Sequence, residues 1–158
     1  MQEFTDALLF AALLAVLAQL VGPLLPRSWF CAEKFPFRPF FWENSGRIYN
    51  KLSIRRWKDH VPDMSRYTKR MMTKNLSSGS DLAHTERLIQ ETCVAESVHA
   101  VLMVLSLRML HRHRTRLTFF LWATYNLLGN LPYIIIQRYN RPRLVKLAEK
   151  LRLKEQYI

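Results

Sequence analysis

The sequence predicts an all-α integral membrane protein, a helical bundle of about three transmembrane helices carrying an interfacial segment rich in aromatic and basic residues. Two observations carry that reading. Long uncharged stretches alternate with basic ones, and 24 Lys+Arg against 12 Asp+Glu give a formal charge of +12 in a chain that is 49% hydrophobic. Only four glycines interrupt the 158 residues, which are read as a single membrane domain because a second domain would have too little chain for its own core.

The first span is the clearest. Ala7 to Leu25 is nineteen residues without a charge, and at about 1.5 Å rise per residue a helix of that length crosses most of a hydrocarbon core. The span is placed at residues 6–25. A signal peptide is the competing reading, but a span is expected because Gln2 to Asp6 carry two acids and no base, and no small-x-small cleavage site follows Pro26. The third span, residues 117–137, contains twenty uncharged residues from Leu117 to Ile136, including Trp122, Tyr125, Asn126, Asn130 and Pro132. Its polar groups must face protein rather than lipid. The second span, residues 92–110, is apolar from Thr92 to Leu107 except for Glu96 and His99, and Arg108 closes it. Ser80 or Asp81 can cap a helix starting near Leu82, and no Gly or Pro follows before His113, so one long helix is expected to lead into this span.

Between the first two spans, residues 27–91 form an interfacial cytoplasmic region. Trp29, Phe30, Phe35, Phe37, Phe40, Phe41 and Trp42 alternate with Pro36, Pro39, Lys34 and Arg38, a composition that suits the headgroup zone and breaks long helices. A basic cluster follows at Arg55-Arg56-Trp57-Lys58-Asp59-His60, then a turn at Val61-Pro62-Asp63, and Ser77-Ser78-Gly79-Ser80 reads as a flexible linker. Thirteen basic residues lie between Arg27 and Arg87, four between Arg108 and Arg116, and seven from Arg138 onward. The positive-inside rule then places a multi-pass protein in the cell membrane with its N-terminus outside and its C-terminus cytoplasmic. The same charge suits anionic headgroups better than nucleic acid, which is not expected as a partner.

Glu96 and His99 are neighbours on one helical face, and a carboxylate inside a span normally faces the bundle with a partner. Asn126, Asn130, Tyr133 and Gln137 share a face of the third span at spacings of four, three and four. The functional reading makes His99 a general base and Glu96 its partner, with Asn126 and Asn130 positioning an acceptor or stabilising an oxyanion. The structural reading is a polar seam that glues helices together. No serine or cysteine stands in a nucleophile motif, so direct transfer is favoured over a covalent intermediate. Gln137-Arg138-Tyr139-Asn140-Arg141-Pro142-Arg143 closes the third span, and three arginine forks there suit phosphate or carboxylate capture as well as stop-transfer. No metal site is expected: Cys31 and Cys93 lie far apart, and the imidazoles of His111 and His113 point away from each other on a helix.

At these residues the chain resembles the glycosyl-4,4'-diaponeurosporenoate acyltransferase family, small membrane enzymes of staphyloxanthin-type carotenoid biosynthesis. The resemblance is clearest from Ile136 to Leu144 and extends to Glu91-Thr92, Ala95-Glu96, His99 and the Arg56-Trp57-Lys58 cluster with Asp63 after it, roughly Tyr49 to Leu147. It implies transfer of a fatty acyl chain to a hydroxyl of a lipid, glycolipid or glycosylated carotenoid. Acyl-CoA or acyl-carrier protein would be the donor, and no cofactor would be bound. Trp57, Lys58, Asn126, Asn130, Tyr133, Gln137, Arg138, Asn140, Arg141 and Arg143 are then candidates for substrate contact. Membrane lipid is an expected partner, and self-association is one way to cover the polar seam. Two rivals stand beside this reading: a non-catalytic membrane subunit that binds a partner helix or lipid, and another lipid-modifying enzyme of methyltransferase or reductase type.

Overall fold

The computed structural model describes residues 2–61 and 82–156. The turn at Pro62, the linker at Ser77–Ser80, the cap at Ser80 or Asp81, and Asp63 lie outside the described residues. The fold is all-α: α1 (Gln2–Val21), α2 (Ile54–Trp57), α3 (Leu82–Arg112), α4 (Arg116–Gly129) and α5 (Leu131–Gln156), with short 3-10 turns between α1 and α2. Among the described residues, three segments are long and apolar enough to cross a membrane, Gln2–Leu24, Leu82–Arg112 and Arg116–Gln156, as expected of a membrane protein.

Two expectations are refined. The third span is not one uninterrupted helix, because α4 ends at Gly129 and Asn130 caps it with φ −121° and ψ −51° before α5 begins at Leu131. Pro132 supplies the physical reason: it has no N–H to donate to Leu128, so the regular ladder fails at that turn. Nor does the helix stop at Arg143. It runs through Pro142 to Gln156.

The chain folds into two compact units, one of residues 1–25 and 95–134, the other of residues 26–94 and 135–158. In the first unit, Ala7, Ala11 and Leu14 are the buried face of α1, at spacings of four and three. Ala7 and Ala11 pack with Met109, Leu121, Trp122 and Tyr125, small residues allowing the close helix approach that membrane packing requires. The outer surfaces of the same helices carry Leu8, Leu9, Leu13, Val16, Leu17, Val101, Val104, Phe119, Phe120 and Leu127, all exposed. An apolar surface of that extent is stable in lipid and not in water.

The second unit has a mixed core. Tyr49, Ile54 and Tyr139 are buried, with Ile48, Trp57, Ile135 and Ile136 packed against them. Around this core the aromatic segment is folded back by a left-handed turn at Asn44, Ser45 and Gly46. Gly46 is required there: its φ is +80°, and a Cβ would meet the carbonyl oxygen of Arg138 at 3.1 Å. Pro142 removes the intrahelical donor for that same carbonyl. Phe41, 98% exposed, and Trp29, Phe35 and Trp42 point outward.

Candidate active site

In the first unit, α3, α4 and the start of α5 bring polar side chains together. His99 Nδ1 lies 3.0 Å from Asn130 Oδ1, and the imidazole stacks on Tyr133 with ring centroids 4.4 Å apart and planes 9° apart. The Asn130 amide is oriented by its own Nδ2, which donates to the Tyr125 carbonyl at 3.1 Å. A carboxamide oxygen can only accept, so His99 Nδ1 is the donor and the basic lone pair of the neutral ring lies on Nε2. Asn130 is 1% exposed, and its place between α4 and α5 follows from the Pro132 interruption. Glu96 is buried one turn before His99 on α3.

Asn126 has different partners. Its Nδ2 donates to Ser106 Oγ at 3.0 Å and to the Trp122 carbonyl at 2.9 Å, and Ser106 Oγ donates to the Met103 carbonyl at 2.7 Å. The Asn126–Ser106 bond links α4 to α3, as polar side chains do between packed membrane helices. The expected seam therefore divides into a joining part at Asn126 and Ser106 and a part built around an imidazole at His99, Asn130 and Tyr133.

The remaining predicted residues belong to the second unit, where the arginines have protein partners. Arg138 donates through Nε and Nη2 to the Glu43 carboxylate at 2.5 and 2.7 Å, and through Nη1 to the Pro36 carbonyl at 3.1 Å. Its guanidinium lies 4.4 Å from the Phe40 ring centroid. Arg141, 2% exposed, donates to Thr92 Oγ1 at 2.9 Å, to the Thr92 carbonyl at 3.0 Å and to the Phe37 carbonyl at 2.7 Å. Arg143 stacks 3.5 Å over the Tyr139 ring and donates to the Tyr139 carbonyl. Trp57 Nε1 donates to the Leu52 carbonyl at 2.9 Å, Lys58 pairs with Asp59 at 2.7 Å, Gln137 is buried and Asn140 is half-buried.

Glu43 organises this cluster. It is 1% exposed, accepts from Tyr49 OH and from the Phe40 N–H at 2.6 Å, and holds Arg138. Burial pushes its carboxyl up, but hydrogen bonds from Arg138, Tyr49 and Phe40 outweigh burial and hold it below the ordinary carboxylate range. Tyr49 is pushed up, by burial first and then by its bond to Glu43. A second bidentate pair, Arg27 with Glu91 at 2.9 and 3.0 Å, joins the start of the interfacial segment to α3. Sequence reasoning missed Glu43, Tyr49 and Arg27. The available signal was a lone carboxylate between Arg38 and Arg47 in an aromatic run, three residues after Phe40, the spacing at which a side chain reaches back to a turn's first N–H.

A family profile described as glycosyl-4,4'-diaponeurosporenoate acyltransferase matches residues 26–150. The chain belongs to this family. Proteins of that name from Staphylococcus aureus strains MRSA252 and Newman are similar to it at 26% and 27% identity over 159 and 161 residues. The alignments cover 96% and 98% of this chain and 94% and 95% of the relatives. No solved structure matches the chain. Membership in the glycosyl-4,4'-diaponeurosporenoate acyltransferase family makes the protein an acyltransferase. It also sets aside the non-catalytic subunit and the methyltransferase or reductase readings.

Proposed function

We propose that the protein moves a fatty acyl chain from a thioester donor, acyl-CoA or acyl-carrier protein, to a sugar hydroxyl of a glycosylated carotenoid acid, with His99 as general base. The relatives' name, glycosyl-4,4'-diaponeurosporenoate acyltransferase, supports the acceptor class. The observation that carries the role of His99 is its hydrogen bond to Asn130, which leaves Nε2 as the basic nitrogen.

In the proposed reaction, Nε2 takes the hydroxyl proton as the acceptor oxygen attacks the thioester carbonyl. The tetrahedral intermediate collapses, the C–S bond breaks, and the departing thiolate receives the proton back from the imidazolium. An ester and a free thiol are produced, and the neutral imidazole is restored. Asn130 fixes the tautomer, Tyr133 holds the ring plane by stacking, and buried Glu96 is proposed to stabilise the imidazolium charge. Asn126 is assigned to holding helices together.

Contact with anionic parts of the donor is proposed separately for Trp57, Lys58, Gln137, Asn140 and Arg143, and its test is the donor KM of their variants. Arg138 and Arg141 are assigned to folding the interfacial segment, because their donors are engaged by Glu43, Thr92 and Phe37. The basic excess in residues 27–91 and 138–158 supports an external N-terminus and a cytoplasmic tail, checked by reporter fusions at the two ends.

The deciding experiment is transfer of labelled acyl groups to a glycosylated carotenoid acid by purified wild type and His99→Ala, with CoA and carrier-protein thioesters compared. Loss of about 10²-fold or more in kcat at unchanged thermal stability is expected. Wild-type turnover in His99→Ala would remove the base assignment, and no transfer from either thioester would remove the donor class.

A further inference from the structure

A second polar feature of the first unit, distinct from His99, lies where the start of α1 meets the end of α3. A cavity of about 370 Å³ there is lined by Asp6, Leu9, Phe10, Arg108, Arg112 and His113, among others. That volume falls at the lower end of the range typical of ligand pockets. Arg108 and Arg112 stand four residues apart on one helical face, both exposed. Neither guanidinium makes an ion pair or hydrogen bond among the described residues.

His113 makes the cavity more than a basic patch. Its side chain is 12% exposed, yet Nε2 is buried without a hydrogen-bond partner, 3.9 Å from the nearer Asp6 carboxylate oxygen and beyond hydrogen-bonding distance. A buried polar atom left unpaired is uncommon and calls for an explanation, which a ligand atom in the cavity would supply. The lining thus offers two arginine forks and an imidazole against one carboxylate. Leu9 opens onto the exposed leucine surface of α1 that continues at Leu13 and Val16, a path along which an acyl chain can lie.

We propose that this cavity binds the phosphate headgroup of an anionic membrane phospholipid. Arg108 and Arg112 take the phosphate oxygens, His113 Nε2 hydrogen-bonds the headgroup, and the lipid's acyl chain runs along Leu9 and Leu13. Guanidinium forks are suited to phosphate oxygens. Asp6 weakens the site by partly offsetting its positive charge.

The test uses the full-length protein in nanodiscs of phosphatidylcholine titrated with phosphatidylglycerol, with bound lipid counted by native mass spectrometry. Wild type is expected to retain phosphatidylglycerol selectively, and Arg108→Gln/Arg112→Gln to lose affinity by about fivefold per arginine, roughly twenty-five-fold together. Arg114→Gln/Arg116→Gln removes the same charge from neighbouring positions outside the cavity and is expected to leave selectivity intact. Asp6→Asn is expected to tighten binding, so the proposal does not rest on a variant that merely misfolds. Equal loss in both arginine pairs would reduce the effect to general surface charge and overturn the site. No preference for phosphatidylglycerol, or complete displacement by millimolar inorganic phosphate, would overturn a lipid headgroup as its occupant.

Discussion

Replacing Glu43 by Gln keeps the shape of the side chain and removes its charge, leaving the Arg138 guanidinium without its counterion in a site where both partners are more than nine-tenths buried. Removing one partner of a buried pair costs about 3–5 kcal/mol, a large share of the roughly 5–15 kcal/mol that holds a typical domain together. For a chain of this size, about 2–4 °C per kcal/mol gives a fall of roughly 6–20 °C in the unfolding midpoint. The assay is thermal unfolding in detergent at neutral pH, followed by far-UV circular dichroism. The double variant Glu43→Gln/Arg138→Met removes both charges and is expected to recover much of the loss.

The pH dependence has a definite sign. The folded Glu43 carboxyl lies below its ordinary value of 4.5, so its contribution is complete above that pH and is lost as pH falls through the folded value. Wild type is therefore expected to show an acid-destabilising step that Glu43→Gln lacks. A single variant within about a degree of wild type at neutral pH, or a double variant no more stable than the single one, would refute the claim that this pair holds the interfacial segment.

Three further outcomes follow from the geometry. Asn130→Ala removes the acceptor that keeps His99 Nδ1 protonated and is expected to lower kcat on the order of 10²-fold with little change in donor KM, checked by steady-state kinetics. Gly46→Ala places a Cβ against the Arg138 carbonyl at positive φ and is expected to cost about 1–3 kcal/mol, read as a lower unfolding midpoint. Thr92→Val deletes the oxygen that accepts from Arg141 Nε and is expected to cost about 1–3 kcal/mol in the same measurement, with His99-dependent chemistry retained.

Much of the candidate site was legible as spacing. Glu96 and His99 one turn apart, and Asn126, Asn130 and Tyr133 at helical intervals, follow from periodicity. Periodicity does not say which polar group meets which. Asn126 and Asn130 have the same chemistry and lie on neighbouring turns, yet one bonds Ser106 and the other orients an imidazole, because Pro132 ends the ladder at Asn130 and places that amide between two helices.

The sequence by itself determined the all-α class, three segments of membrane length and the family, because apolar length and motif are local properties of the chain. The tertiary structure alone decided which protein groups the arginines of residues 138–143 meet. A guanidinium at the end of an apolar stretch suits a substrate phosphate and a buried carboxylate equally, and 95 residues separate Arg138 from Glu43. Only folding brings that pair to hydrogen-bonding distance, so its partner could not be read from spacing.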